Sequence, residues 1–268
     1  MLIENEIIQN IGNKDKIIEL SKESNGIPSR ECLIYALKLI KETKNIEDIK
    51  ITPAQDVKEA LEKALKKYRL KDWKVDFSDK KLTTVYIAEK KITVCKDRKF
   101  SAKDPKRLTV HEIGTHILRA ENGYNQPFKI FALGLKGYLE TEEGLANYFE
   151  EITGNKSNEI FRDYAGRVIA VDCVYKNLDF RECFDKLINL DFGQEQAWNL
   201  SLRAYRGGGY IKDHVYLEGY LKVKEFFKGN QKLDNVYIGK IGIKDLPLIE
   251  RLLEEKKIKP AKYLPNFI

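Results

Sequence analysis

Two of the chain's three histidines fall within one hexapeptide, His111-Glu112-Ile113-Gly114-Thr115-His116, in a stretch that reads as helix. Two imidazoles flanking a glutamate can hold a divalent metal and place a base for attack by water. The pattern therefore predicts a metallohydrolase site, with His111 and His116 as ligands and Glu112 as the base. The spacing is unusual. In the commoner arrangement the histidines are four apart and share a helix face, whereas residues five apart point about 140° away from each other at 3.6 residues per turn. A straight α-helix would misplace one ring, so a one-residue bulge of the π type is expected, with Gly114 taking the backbone angles it needs.

A catalytic zinc site usually takes three protein ligands and leaves one position for water, so a third ligand is expected downstream. Residues 139 to 152 read as a helix, with Leu145, Tyr148, Phe149 and Ile152 at helical spacing and Thr141 as N-cap. Glu142 and Glu143 would then lie in its first turn, where acidic residues also complement the helix dipole. Neighbours on a helix point about 100° apart, so one of the two, and not both, is expected to bind.

His111 to His116, Asn125 to Phe128 (NQPF), Thr141 to Ala146 (TEEGLA), Arg203 to Gly208 (RxxRGG) and Lys212 to Gly219 (KDxxYLxG) together resemble the tyrosine carboxypeptidase family of HExxxH metallopeptidases. Bacterial and archaeal members of that family carry a QEGLA motif, and its animal members resemble microtubule-associated enzymes that remove a C-terminal tyrosine from tubulin. The resemblance covers about residues 50 to 245. It implies one zinc ion, with Glu143 completing the site begun by His111 and His116, and with Glu142 standing where the motif has Gln. It also implies a carboxypeptidase that prefers a terminal tyrosine or another aromatic residue.

Such a reaction needs three further things. Glu112 would take a proton from the attacking water and pass it to the leaving amine. An oxyanion donor besides the metal is expected in Leu202 to Tyr220, with His214 and Tyr216 ranked equally. A free terminal carboxylate suits arginine, so Arg203 and Arg206 are expected to bind substrate, with Lys212 in reserve; the alternative is that they are exposed helix-end cations. An aromatic side chain would enter an apolar pocket near Tyr205, Tyr210 or Phe128. Two other readings compete. One is an HExxxH aminopeptidase or dipeptidyl-peptidase-like enzyme, which would need acidic groups to hold an ammonium. The other is a non-catalytic zinc-containing binding module.

The elements that must position these residues follow from the pattern. Residues 4 to 44 predict two helices broken near Asn25-Gly26-Ile27-Pro28, an N-terminal helical cap over residues 1 to 50 packed on a catalytic domain of 51 to 268. Thr52-Pro53 signals a helix to about Tyr68, with Pro at the first helical position. Residues 72 to 77, 83 to 88 and 91 to 95 predict a small antiparallel meander, followed by the metal helix from about Ser101 to Gly123. The order resembles thermolysin-like peptidases, which would make the strand around Thr93 an edge that pairs with an extended substrate. Helices are expected at 139 to 153, 157 to 177, 179 to 189, 194 to 205, 213 to 228 and 245 to 256, with a strand at Val236 to Ile241. The fold class is α+β and mainly helical.

The chain has 268 residues, 43% hydrophobic and 33% charged, which suits a folded globular protein. Its net charge of +7 comes from lysines mixed with acids, as on solvated helix faces, so no nucleic-acid partner is expected. The N-terminal stretch has early acids and no long apolar run, so no signal peptide, no membrane partner and a cytoplasmic location are expected. Four cysteines without any CxxC fit reduced, buried thiols. The expected partner is a peptide or protein C-terminus; nothing in the pattern sets the oligomeric state.

Overall fold

The computed structural model describes residues 2–80, 83–229 and 232–267. The elements in the first part of the chain are α1 (Leu2–Gln9), α2 (Lys14–Asn25), α3 (Arg30–Glu42), β1 (Lys50–Thr52), α4 (Ala54–Lys67), β2 (Lys74–Ser78), β3 (Thr84–Tyr86), β4 (Lys91–Cys95) and β5 (Phe100–Ser101). The metal helix is composite: α5 (Asp104–Leu108), a π-helical segment (Thr109–Ile117) and α6 (Leu118–Tyr124) run without interruption. Then come α7 (Ile130–Leu133), α8 (Tyr138–Ile152), α9 (Asn158–Tyr175), α10 (Phe180–Asn189), α11 (Gln194–Tyr205), α12 (Val215–Lys228), α13 (Leu233–Val236), a 3-10 turn (Ile243–Asp245) and α14 (Leu246–Glu254). The architecture is mainly helical α+β, as the sequence predicts.

The chain divides into two compact units. One joins residues 1–47 with 157–222, and the other joins 48–156 with 223–268. The expected N-terminal segment thus shares its unit with residues 157–222.

In the first unit α3, α10 and α11 pack on α9. Gly166 lets α9 approach closely, because a Cβ there would lie 2.6 Å from a methyl carbon of Leu200. Arg162 of α9 organises the helix ends: its guanidinium donates to Ile40 O and Thr43 O at the C-terminus of α3, and to Leu190 O and Asp191 O after α10. Carbonyls in a last turn lack intrahelical partners, and one planar cation satisfies four of them here. The N-terminal region holds three helices where two were expected, since Gly12, at φ +99°, separates α1 from α2.

The second unit has one core, in which Val57, Leu61, Leu65, Ile92, Val94, Ile113, Ile117, Leu145, Phe149, Tyr237 and Ile249 are buried together. The sheet beside it differs from the expected meander. β2 pairs parallel with β4, and β3 pairs antiparallel with the other side of β4. β4 is buried over most of its length and therefore central, so the strand around Thr93 has no free edge to offer a substrate. Pro53 sits one place before its expected position, as the extended N-cap of α4. The expected strand at Val236 to Ile241 is also absent: α13 ends at Val236, and two backbone bonds, Lys240 N to Phe131 O at 2.7 Å and Leu135 N to Lys240 O at 2.9 Å, tie the segment to α7. Those bonds satisfy the β-branched segment's backbone without a ladder.

Candidate metal centre

The five-residue spacing of the histidines is accommodated by the π-helical stretch, which extends over nine residues, Thr109–Ile117. Leu118 N–H donates to Ile113 O, five residues back, where an α-helix would use the carbonyl four back. The two rings stand edge to face, 4.9 Å between centroids. Gly114 has a different role from the expected one. Its φ is not in the left-handed region, but a Cβ would lie 2.4 Å from Cε1 of Phe267, so its contribution is room.

α8 packs directly on the π segment. It begins earlier than expected, at Tyr138, after Gly137 in the left-handed conformation. Thr141 is therefore not its cap; the hydroxyl accepts from Ile243 N at 2.9 Å. Glu142 and Glu143 consequently leave the first turn and its dipole, and both are buried. Their burial has a local reason. Glu143 and Glu150, seven apart, share a helix face directed at His111, while Glu142 is turned about 100° toward His116.

The geometry separates donors from supports. Glu143 Oε2 lies 3.6 Å from His111 Nε2 and 3.9 Å from His116 Nε2. The other ring nitrogens are engaged elsewhere: His111 Nδ1 meets Glu150 Oε1 at 2.8 Å, and His116 Nδ1 meets Glu142 Oε1 at 2.9 Å. Each supporting carboxylate is itself anchored by a cation. Arg107 donates to Glu150 at 3.0 Å; Arg119, fully buried, donates to Glu142 at 2.8 Å, with Lys240 at 3.1 Å from the same carboxylate. A buried carboxylate is tolerated only when paired and hydrogen-bonded, and these are.

The electrostatics follow. Burial works to raise the Glu142 carboxyl, but Lys240, His116 and Arg119 outweigh it and hold it far below the usual carboxylate range. Burial likewise opposes ionisation of Glu150, where Arg107 and His111 prevail, and of Glu143, where the two histidines prevail. Burial alone would lower His111, yet the surrounding carboxylates Glu143, Glu150 and Glu112 push it up to about 10.

His111, His116 and Glu143 each offer a donor atom within 4.8 Å of the others'. Glu143 Oε2 is buried and has no hydrogen-bond partner among the described residues. An orphaned carboxylate oxygen facing two imidazole nitrogens whose far sides are already fixed fits a first-row divalent ion such as zinc. Glu112, half-buried, projects from the same π segment next to His111.

The other residues expected from the sequence belong to the first unit and have contacts there. Arg203 makes a bidentate pair with Asp213 at 2.7 and 2.8 Å. Tyr205 Oη donates to Leu178 O at 2.7 Å. His214 is buried with Nε2 against Asn25 O at 3.0 Å, and burial lowers its ring pKa. Tyr216 stacks on Tyr164 at 5.1 Å, with the Arg167 guanidinium over the ring. Arg206 and Lys212 are exposed. Sequence reading missed Glu150, Arg107, Arg119 and Lys240. The first three carried a signal, since Glu150 is seven after Glu143, Arg107 four before His111 and Arg119 three after His116.

Comparison with known proteins bears on the same residues. A family model described as "Microtubule-associated tyrosine carboxypeptidase" matches residues 7–268. The microtubule-associated tyrosine carboxypeptidase 1 of Rattus norvegicus is 29% identical over 169 residues, 59% of this chain and 35% of that protein. Its counterparts in Mus musculus and Homo sapiens are 32% and 31% identical over 124 residues, 42% of this chain and 26% of each relative. The matched stretch thus spans about a third of these relatives or less. No solved structure matches the chain. With the match running across both units and through the π segment and α8 alike, the chain belongs to the microtubule-associated tyrosine carboxypeptidase family.

Proposed function

We propose that this chain is a zinc-dependent carboxypeptidase that removes the terminal residue, tyrosine or another aromatic, from peptide or protein C-termini. The observation that carries the reading is the buried, unbonded Glu143 Oε2 facing Nε2 of His111 and His116, in a family whose name states the activity. His111, His116 and Glu143 hold the ion. Bound there, zinc would supply Lewis acidity toward the scissile carbonyl and toward the attacking water. Glu112 takes the proton from that water and delivers it to the leaving amine, a general base turned general acid. Glu142 and Glu150 keep the rings aimed and the Nδ1 positions occupied.

The substrate contacts remain as the sequence assigns them: Arg203, Arg206 and Lys212 for the terminal carboxylate, His214 or Tyr216 for the oxyanion, and Tyr205 beside the aromatic ring. Among the described residues no helix is long and apolar enough to cross a membrane. We place the enzyme in the cytoplasm, acting on protein C-termini, with no nucleic-acid or membrane partner.

The test is mass spectrometry of peptide products. A peptide ending in tyrosine should lose that residue, the same peptide amidated at its C-terminus should not, and a chelator should stop the reaction. Glu112→Gln should retain zinc and lose turnover by roughly 10²- to 10⁴-fold. Cleavage of the amidated peptide from its N-terminus would establish the aminopeptidase reading instead, and zinc binding without hydrolysis would establish the binding module.

A further inference from the structure

The π segment has to be held in a less common helical form, and the contacts of Gly114 show what holds it. Tyr237, fully buried, donates its phenolic hydrogen to Gly114 O at 2.7 Å. The ring of Phe267 fills the space where a Cβ of residue 114 would be. That ring also meets Phe149 of α8 edge to face at 5.5 Å. Phe267 is therefore wedged between the two elements that carry the three donor residues. It is brought there by a strap: Asn122 Oδ1 accepts from Lys262 N at 2.9 Å and Tyr263 N at 2.8 Å, its Nδ2 donates to Tyr263 O at 2.7 Å, and Gln126 exchanges two bonds with the backbone of Lys259. Both amide side chains lie at the end of the composite metal helix, α6 and the residues directly after it. The segment 259–267 thus runs back along the helix whose distorted middle it supports.

We propose that Tyr237 and Phe267 are positioning residues for the metal site. They act through Gly114, holding the π turn in the form that brings His111 and His116 to one carboxylate oxygen. The inference rests on the zinc reading above, and it assigns a role to two residues outside the HExxxH and EEGLA motifs. A Cβ at position 114 and the Phe267 ring compete for one volume, so their effects must be coupled.

The experiment measures zinc affinity by chelator competition, with melting of the metal-free protein in parallel. Tyr237→Phe and Phe267→Ala should each weaken zinc binding at least tenfold. Val223→Ala, a core change in the same unit away from Gly114, should lower the melting temperature and leave zinc affinity within twofold. Gly114→Ala should weaken zinc strongly in the wild-type background and far less in the Phe267→Ala background. Wild-type affinity in Tyr237→Phe and Phe267→Ala overturns the inference. So does additivity of Gly114→Ala with Phe267→Ala, or a loss of zinc in Val223→Ala equal to theirs. A wild-type protein that binds no zinc overturns the metal reading itself, and the inference with it.

Discussion

Glu142 and Glu150 perform the same service for the two histidines, each closing one Nδ1 and leaving one Nε2 directed at Glu143. A carboxylate behind an imidazole fixes its tautomer and raises its basicity as a ligand. Glu142→Gln and Glu150→Gln should therefore each weaken zinc binding about 10- to 100-fold, whereas Glu143→Gln should abolish it. The reverse order for Glu142 and Glu143 in a zinc titration would exchange their roles. At this scale the sequence was informative wherever chemistry is local. His111, Glu112 and His116 announce themselves by composition and spacing, and Glu143 through the EEGLA match. Lys240 and Tyr237 gave no such sign, because they reach the site from segments about a hundred residues away and only the folded chain brings them there.

Helix ends decide much of the element scale. Arg162 closes the C-termini of α3 and α10 with one side chain, and removing it would leave four carbonyls without their donor. Arg162→Met should destabilise the chain by about 2–4 kcal/mol and appear as a lower melting temperature; a change under about 0.5 kcal/mol would mean that solvent replaces the guanidinium easily. Most helices were legible, since α8 to α12 and α14 lie within two residues of their expected bounds. The misreadings have physical causes. Val236 to Ile241 has strand composition, but its backbone bonds to α7 in two places only. The order of strands in the sheet depends on β4 passing between β2 and β3, which alternation of residues does not encode.

For the whole molecule, stability and pH are linked through Lys156, which is nearly fully buried beside Glu150. Burial lowers its ammonium to about 7, and Glu150 and Glu151 only partly offset this. The unfolded chain then binds one more proton than the folded chain between about pH 7 and the ordinary lysine value near 10.4, so this group makes stability rise with pH across that window. Lys156→Met should accordingly melt higher than wild type at pH 6, by a margin worth about 1–3 kcal/mol, and the margin should vanish toward pH 10. A margin that does not change between pH 6 and 10 would reject the assignment. One further consequence belongs to the π segment. It acts as a phase shifter: the helix carries one residue more than a straight path needs, and everything after it is set in angle by that excess. Deleting Gly114 would bring the histidines to the common four-residue spacing, yet it would turn the rest of the helix by about 100°. Arg119 would then leave Glu142 and Val236 O, and Asn122 would leave the strap at Tyr263. The sequence therefore cannot drift to the commoner motif by losing a residue there without dismantling the scaffold behind it.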